Sequence, residues 1–226
     1  MKVVVLTGAG VSAESGIKTF RDSDGLWEGH NVMEVASPEG FAKNPKAVLE
    51  FYNQRRQQLL TVQPNAAHKA LVDLEKKHEV TIITQNVDDL HERAGSTNVI
   101  HLHGELLKVR STADENLVLQ WKEDLNIGDL CEKGYQLRPH IVWFGEMVPL
   151  LNTAASIVEE ADILIIIGTS MQVYPAAGLM QYAKPEVPMY FIDPKPSISE
   201  TNRIKVYAEN ASIGVPKVVK GLLTKY

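Results

Sequence analysis

The sequence predicts an α/β fold in which a doubly wound parallel sheet carries a smaller lobe built from two insertions. Short β-branched runs alternate along the chain with segments of helical periodicity. Each run is bounded by Gly, Asn, Asp or Pro, which are typical of strand ends that face a ligand. Two stretches, 28–63 and 108–139, break this rhythm, and we assign them to the smaller lobe.

The individual elements follow from the same patterns. Strands buried on both faces of a parallel sheet appear as continuous apolar runs. The predicted strands are Val3–Leu6, Val80–Ile83, Ile163–Ile167 and Met189–Ile192, with Val99–Leu102 as a shorter candidate. The predicted helices are 46–60, 65–77, 152–160, 175–184 and 215–224, with Pro45, Pro64, Pro175 and Pro216 near four of their starts. The chain is then one domain, 1–226, with a larger lobe of about 1–27, 64–107 and 140–226.

Composition narrows the class of protein. With 226 residues, 44% of them hydrophobic, the chain can bury one sizeable core. Its formal net charge of -5 offers no attraction for nucleic acid or for anionic lipid. The longest apolar runs are too short to span a bilayer, and the chain opens without the pattern of a signal peptide. We therefore expect a soluble, cytoplasmic protein, and nothing in the sequence demands more than a monomer.

A glycine-rich loop, Gly8-Ala9-Gly10-Val11-Ser12-Ala13-Glu14-Ser15-Gly16, follows the first predicted strand. Its opening matches the G-x-G-x-x-G/A pattern of Rossmann-like dinucleotide sites. Gly8 would permit the tight turn, Gly10 the approach of a pyrophosphate, and Ala13 close packing of helix on strand. A helix after the loop would point its N-terminus at the phosphates. Taken alone, the loop also fits an ordinary strand-to-helix turn.

Five ordered motifs carry a resemblance to a known family. They are residues 8–17 with Phe20-Arg21, Thr84-Gln85-Asn86-Val87-Asp88, His101-Leu102-His103-Gly104, residues 139–146, and Gly168-Thr169-Ser170. In this order they resemble the signatures of the sirtuins, over essentially the whole chain. The resemblance implies NAD-dependent removal of acyl groups from protein lysine, with release of nicotinamide and O-acyl-ADP-ribose.

The resemblance places His103 at the family's catalytic position, where a histidine deprotonates a ribose hydroxyl. An imidazole suits this task because its ordinary pKa of about 6.5 lies near working pH. His101 is the rival candidate, since alternation along a strand puts both side chains on one face. Only the family's His-Gly spacing selects His103.

The implied cofactor is NAD. The positions that match the family's NAD site are Gly8, Ala9, Gly10, Ser12, Ala13, Gly16, Ile17, Phe20, Arg21, Gln85, Asn86, Asp88, Gly168, Thr169, Ser170, Asp193 and Ala211. Amides such as Gln85 and Asn86 can pair with the nicotinamide carboxamide, and a carboxylate accepts from a hydroxyl. Helix capping is the alternative for Asn86 and Asp88.

The remaining positions in this set have more specific implied roles. Phe20 would shield the reacting centre, and Arg21 would lie near the phosphates. Asp193 stands where many relatives carry Asn and would accept from a ribose hydroxyl, while Ala211 would line the adenine.

The resemblance is to the class III branch of bacterial and mitochondrial sirtuins, in which a Tyr-x-x-Arg pair recognises acidic acyl groups. Here the pair is Tyr52 and Arg55, three positions apart and hence on one face of a predicted helix. A guanidinium can hold a succinyl or malonyl carboxylate in two parallel hydrogen bonds, and the phenol can add a third. Arg56 and the glutamines after it are expected at the surface.

The segment Val142-Trp143-Phe144-Gly145-Glu146 would offer a backbone edge that pairs with the substrate peptide as an added strand. Its assigned substrate-binding residues are Val142, Phe144, Gly145 and Glu146. Core packing between the lobes is the alternative for Trp143 or Phe144.

Most sirtuins carry two Cys-x-x-Cys pairs in the smaller lobe, but Cys131 is the single cysteine of this chain. One cysteine cannot build a tetrahedral zinc site or a disulfide, so we predict no structural metal. An apolar patch should replace it, with Cys131 as a packing residue. The patch would contain Val109, Leu117, Leu119, Trp121, Leu125, Ile127, Leu130 and Leu137.

Two other functions use the same NAD site. A protein ADP-ribosyltransferase would not require acyl-lysine, and a non-catalytic NAD or ADP-ribose sensor would not need His103. The presence of His103, Asn86 and Asp88 together favours deacylation.

Overall fold

The computed structural model describes residues 1–18, 26–27 and 29–226. Its strands are β1 (Lys2–Thr7), β2 (Leu26–Trp27), β3 (His30–Asn31), β4 (Glu79–Thr84), β5 (Val99–His101), β6 (Gly104–Ser111), β7 (Val118–Gln120), β8 (Leu137–Ile141), β9 (Ile163–Ile167), β10 (Met189–Ile192) and β11 (Ile204–Tyr207). Its α-helices are α1 (Val32–Val35), α2 (Pro38–Lys43), α3 (Pro45–Thr61), α4 (Ala66–Glu75), α5 (Leu90–Ala94), α6 (Leu151–Glu159) and α7 (Ala211–Lys225). Short 3₁₀ helices cover Ala9–Val11, Ala13–Ser15 and Ala176–Tyr182. Within the described ranges, no helix has the length and apolar character that a membrane span requires.

Six strands form one parallel sheet in the order β11-β10-β9-β1-β4-β5. From β1 the chain builds β4 and β5 on one side, and then crosses to build β9, β10 and β11 on the other. The strand order therefore reverses between β1 and β9, and doubly wound sheets bind ligands at the carboxyl ends of the strands on either side of such a point. The predicted fold class is confirmed.

Alternate residues of the central strands supply the two faces of the core. Val3 and Val5 of β1 pack in the cluster with α4 and α7, whereas Val4 and Leu6 pack in the cluster with α6. All of β9, Ile163–Ile167, is buried. Burying each such side chain stabilises the fold by about 1.5–3 kcal/mol, which is why the apolar runs identified these strands.

The remaining differences from the predicted elements have local causes. β11 was missed because it is a half-exposed edge strand without a continuous apolar run. The segment predicted as a helix over 175–184 is a 3₁₀ helix. α7 begins at Ala211 rather than 215, so Pro216 lies inside it and cannot donate to the carbonyl of Ser212.

Beside the sheet lies a smaller assembly of α1–α3 and a three-stranded antiparallel sheet in the order β7-β6-β8. Within the stretch 28–63, the short strand β3 pairs antiparallel with β2. The exact division into lobes stays a prediction. A core of α1, α3, β6 and β8 side chains, which includes Tyr52 and Trp143, joins this assembly to α5.

The small antiparallel sheet has its own apolar centre. Leu49, Val109, Leu125, Cys131 and Leu137 are buried there, and Leu117 and Trp121 pack against them. The expectation of burial is wrong for three members of the predicted patch, because Leu119 lies on the edge strand β7 and Ile127 and Leu130 lie in a loop, and all three are exposed.

Cys131 packs in this centre, and its Sγ lies 3.4 Å from Ser111 Oγ. In the part of the chain that the structure describes, no group of three or more His, Cys, Asp or Glu is placed to hold a metal ion. The absence of structural zinc stays a prediction.

Arg56 is fully buried rather than at the surface, which corrects the sequence expectation. Its Nε donates to Leu106 O at 3.2 Å, and its Nη1 donates to Asn53 Oδ1 at 2.7 Å and to Glu123 O at 3.2 Å. One side chain of α3 thus ties β6 to the loop before Leu125. Periodicity could not show this, because the partners lie 50 and 67 positions away.

We predict that Arg56→Met lowers the free energy of unfolding by about 2–4 kcal/mol, because the carbonyls of Leu106 and Glu123 lose a buried donor. The measurement is urea denaturation. Gln57→Ala is the matched control, since Gln57 lies next on the same helix, is exposed, and bonds only at the surface to Asp124. If Arg56→Met lowers the free energy of unfolding by less than about 1 kcal/mol, the bonds of Arg56 to β6 and to the loop before Leu125 do not stabilise the fold as proposed.

Candidate active site

A cavity of about 280 Å³ opens at the carboxyl ends of β1, β4 and β9, facing the smaller assembly. Its volume is near the lower end of the range of about 300–1,000 Å³ for small-molecule sites. The predicted site residues that line it are Gly8, Ala9, Ser12, Ile17, Tyr52, Arg55, Gln85, Asn86, Asp88, His103, Val142, Phe144, Gly145, Glu146, Gly168, Thr169 and Ser170. One cavity therefore brings together residues from all five motifs.

The floor of the cavity is a contact between two glycine loops. Gly10 N donates to Gly168 O at 2.8 Å, and Gly8 N donates to Ile167 O at 3.0 Å. A Cβ on Gly10 would lie 2.5 Å from Gly168 Cα, so only glycine allows this approach. Gly168 itself has φ +59°, a conformation that favours glycine.

The first loop differs from its expected form in one respect. Residues 9–15 form two short 3₁₀ helices, and Gly16, at φ +100°, ends the second. No α-helix follows within the described residues before Leu26, so the expected helix N-terminus does not face the cavity. Ala13 is exposed and does not pack a helix on the sheet.

Several assigned positions lie away from the cavity lining. Gly10, Ala13 and Gly16 shape the first loop without lining the cavity. Asp193 is buried at the end of β10, where its Oδ1 accepts from Lys195 N at 2.8 Å, and Ala211 is buried where α7 begins. The calls on Phe20 and Arg21 lie outside the described residues.

A buried polar network occupies one wall. Ser12 Oγ donates to Asp88 Oδ2 at 2.9 Å and accepts from Asn86 Nδ2 at 3.1 Å. Asp88 Oδ1 also accepts from Leu90 N at 3.1 Å. This is not the predicted helix cap, because the N-cap residue of α5 is Asp89, whose side chain makes no capping bond. Burial raises the pKa of Asp88, and the bonds from Leu90 and Ser12 counteract that rise.

This donor set fits NAD. Asn86, Asp88 and Ser12 are buried polar groups that can exchange hydrogen bonds with a carboxamide and with ribose hydroxyls. Gly8 and Gly168 carry no side chain where the backbone faces the cavity, as the approach of a pyrophosphate requires. Gln85 lies at the same edge, with its Nε2 3.4 Å from Thr169 Oγ1.

The two histidines of the His-Leu-His motif, indistinguishable from alternation alone, are separated by the structure. His103 lines the cavity, and its Nδ1 donates to Gln85 O at 3.0 Å. β5 ends at His101, and the chain turns at Leu102 and His103. The His101 ring lies 3.0 Å from Asn86 O and 2.7 Å from Glu92 Oε1, and it is not part of the cavity wall.

The bond to Gln85 determines the tautomer of His103. A carbonyl only accepts, so Nδ1 carries the hydrogen and Nε2 of the neutral ring keeps its lone pair. Burial lowers the pKa of His103, and the Gln85 carbonyl offsets this only in part. The ring is therefore neutral at physiological pH and can accept a proton at Nε2.

Tyr52 and Arg55 lie side by side in the cavity wall. Tyr52 is fully buried, and its hydroxyl accepts from Trp143 Nε1 at 2.9 Å. The Arg55 guanidinium lies 3.7 Å from the centre of the Phe51 ring, and its Nη1 donates to Phe51 O at 2.9 Å. Both polar groups thus have defined positions.

The segment 142–146 is tied to the rest of the chain. Val142 N donates to His103 O and Phe144 N donates to Ala36 O, both at 2.9 Å. These two N–H groups are therefore not available to a substrate strand. Trp143 is buried in the core that contains Tyr52, in agreement with the alternative of core packing, whereas Phe144 is 41% exposed.

Glu146 lines the cavity, but its carboxylate is held by two arginines. Oε1 accepts from Arg138 Nη1 at 2.7 Å, and Arg110 Nη2 lies 3.2 Å from Oε2. Burial would raise the pKa of Glu146, but the bond and charge of Arg138 outweigh it and the pKa is lowered. These contacts make Glu146 an anchor of the segment.

Sequence reasoning missed part of the lining. Missed residues include Lys18, Trp27, Gln58, Leu106, Val173 and Tyr174. Gln58 also donates to Gly16 O at 3.0 Å, which joins α3 to the first loop. No periodicity distinguishes these positions from ordinary helix or loop residues.

Comparison with known proteins agrees with this geometry. The profile of the Sir2 family matches residues 8–175. The NAD-dependent protein deacylase of Helicobacter pylori (strain ATCC 700392 / 26695) is 67% identical over 193 residues, covering 85% of this chain and 84% of that protein.

Solved structures show the same similarity. A Sir2 homologue in complex with NAD superposes with a TM-score of 0.86 at 43% identity, covering 99% of this chain and 90% of that chain. A Sir2 bound to acetylated peptide superposes with a TM-score of 0.79 at 28% identity, covering 99% of this chain and 92% of that chain.

We predict that Gly10→Ala lowers the free energy of unfolding by about 1–3 kcal/mol, because its Cβ would force Gly168 away from the first loop. Urea denaturation measures the change. Gly221→Ala on α7 is the control, since nothing lies within 4 Å of its added methyl group and alanine favours the helix. Equal stabilities of the two variants would contradict a tight contact between the loops.

Proposed function

The chain belongs to the Sir2 family and is an NAD-dependent protein-lysine deacylase, and we propose that it prefers acyl groups ending in a carboxylate. The observation that carries the preference is the pairing of Tyr52 and Arg55 in the cavity that His103 also lines. The individual roles of the site residues belong to the same proposal.

His103 is the proposed general base. Bound NAD supplies the ADP-ribosyl group that accepts the acyl group as nicotinamide leaves. His103 Nε2 takes the proton from a ribose hydroxyl, since Nδ1 is engaged with Gln85 O. Asn86, Asp88 and Ser12 orient the nicotinamide and ribose end through their hydrogen bonds, and burial keeps water from competing for them.

Tyr52 supplies one half of the acyl preference. The indole Nε1 of Trp143 can only donate, so Tyr52 Oη is the acceptor and its own hydrogen can be donated elsewhere. Burial raises the pKa of Tyr52 far above neutrality, so the phenol keeps that hydrogen at physiological pH. A carboxylate is the acceptor that would form the strongest hydrogen bond with this phenol.

Arg55 supplies the other half. Its charge is constant at physiological pH, and the Phe51 ring and carbonyl orient the guanidinium plane at the cavity wall. An acidic acyl group would offer the guanidinium a charge-assisted hydrogen bond in a wall that is otherwise largely apolar, with Trp27, Leu59 and Leu106 nearby. An acetyl group gains nothing from this pair.

The peptide side of the substrate is less constrained by the structure. The segment 142–146 lies beside His103 through the bond between Val142 N and His103 O. Pairing of a substrate backbone with carbonyls of this segment would tolerate many peptide sequences, because main-chain groups are the same in all of them.

We predict that Arg55→Met lowers kcat/KM for a succinyl-lysine peptide by about ten- to a hundredfold, the worth of a charge-assisted hydrogen bond. The fall for the matched acetyl-lysine peptide should be much smaller. Nicotinamide release and deacylated peptide are followed by mass spectrometry at saturating NAD. Arg55→Lys, which keeps the charge but loses the planar fork, should lie between wild type and Arg55→Met.

The other outcomes of this experiment are informative. Activity of the wild type on acetyl peptide alone would retain the deacylase and contradict the role of Tyr52 and Arg55. Equal losses on both peptides would make Arg55 a structural residue. NAD cleavage that modifies the protein without removing acyl groups would favour ADP-ribosyl transfer.

The protonation state of His103 predicts the acid limb of the pH profile. The base works only when neutral, and burial lowers its pKa, so kcat at saturating NAD should fall only when the pH drops below about 6.5, the ordinary histidine value. Deacetylation rates across the acid range measure this limb. An inflection clearly above the ordinary value would show that another group controls kcat.

A further inference from the structure

The ring of His101 faces two groups that can only accept hydrogen bonds. Nδ1 lies 3.0 Å from the backbone carbonyl of Asn86, and Nε2 lies 2.7 Å from Oε1 of Glu92. A neutral imidazole has one N–H, so it can satisfy only one of these acceptors. Both contacts are hydrogen bonds only when the ring carries two hydrogens, which makes it an imidazolium.

We propose that His101 is a positioning residue whose doubly protonated ring ties the Asn86 backbone to Glu92 and so holds the loop of Asn86 and Asp88 in place for NAD. The role toward NAD rests on the proposed function of that loop. The protonation of the ring does not rest on it, and the two can be tested separately.

The surrounding charges favour the cation. The carboxylates of Glu92 on α5, of Glu105 on β6 and of the buried Asp88 attract the positive charge of His101. His91, next to Glu92, does not oppose this charge, because burial lowers its pKa well below the ordinary value and keeps it neutral. Burial also lowers the pKa of His101, but Glu92 and the Asn86 carbonyl outweigh it, so the pKa of His101 is raised. Glu92 is ionised, since the bond from His101 helps to lower its pKa.

The contact with His101 completes the anchoring of the loop. Asn86 N donates to Thr84 Oγ1 at 3.0 Å, and Leu106 N donates to Val87 O at 2.8 Å. The Asn86 carbonyl between them is held by His101. The same residue presents its side chain to Ser12 in the cavity wall, so a shift of this peptide would move the groups that face NAD.

The direction of the pH dependence follows from the raised pKa. The contribution of His101 is complete below about 6.5, the unfolded value, and is lost as the pH rises through the higher folded value. Deprotonation leaves a ring lone pair against either Asn86 O or Glu92. Affinity for NAD should therefore weaken on the alkaline side, whereas protonation of His103 affects turnover on the acid side.

The first test is direct. In protein labelled with ¹⁵N-histidine, long-range ¹H–¹⁵N spectra across a pH titration report the protonation of each ring nitrogen. We expect His101 to carry hydrogens on both nitrogens at pH 6.5, with a midpoint above that value, and His103 to carry one on Nδ1. His101→Gln assigns the signal. A neutral His101 ring at pH 6.5 would overturn the proposal.

The second test changes the partner rather than the histidine. In Glu92→Gln the side-chain amide can donate as well as accept, so a neutral His101 can satisfy both contacts and its midpoint should fall. Calorimetric titration with NAD at several pH values measures the consequence. In the wild type Kd should rise about three- to tenfold across the His101 midpoint, the worth of one hydrogen bond, and this rise should move to lower pH or vanish in Glu92→Gln.

The outcomes separate this inference from the proposed function. No NAD binding by the wild type at any pH would contradict the proposed function. NAD binding with a pH dependence that is the same in wild type and Glu92→Gln would overturn the positioning role of His101. The Glu92 side chain is 41% exposed, so its amide variant should fold even where His101→Gln does not.

Discussion

The contact between the loops that follow β1 and β9 is the constraint on which the site depends. These two strands are neighbours at the point where the strand order reverses, which is where doubly wound sheets form a ligand crevice. Gly10 and Gly168 let the two loop backbones touch, with an amide of one loop donating to a carbonyl of the other. A side chain at either position would clash with the backbone of the other loop and push the two loops apart.

Above the contact between these two loops, the hydrogen-bond partners of each polar group determine the chemistry of the site. His101 and His103 stand two positions apart and have different partners. One carbonyl fixes the His103 tautomer that the proposed base requires, while a carbonyl and a carboxylate together favour the cation that we infer for His101. Asn86 connects them, since its backbone faces His101 and its side chain faces the cavity network.

The smaller assembly positions Tyr52 through a second chain of contacts. The Arg138 guanidinium lies 3.3 Å from the centre of the Trp143 ring, and Glu146 holds it there. Trp143 in turn directs the hydroxyl of Tyr52. Arg56, on the same helix as Tyr52, joins that helix to β6 by bonds to backbone carbonyls. Buried polar contacts and a small apolar core thus hold this region together.

The sequence by itself determined five of the six strands of the parallel sheet and the motifs that line the cavity. Apolar runs identify strands because both faces of a parallel sheet are buried, and motifs at the carboxyl ends of such strands must meet at one edge. The His-Gly spacing of the family pointed to His103, but only the tertiary structure showed why His101 is kept from the cavity. Only the tertiary structure decided that Arg56 is buried and that Asp193 and Ala211 lie away from the cavity lining. The physical reason is that periodicity reports which side of an element is buried, whereas hydrogen-bond partners come from residues tens of positions away.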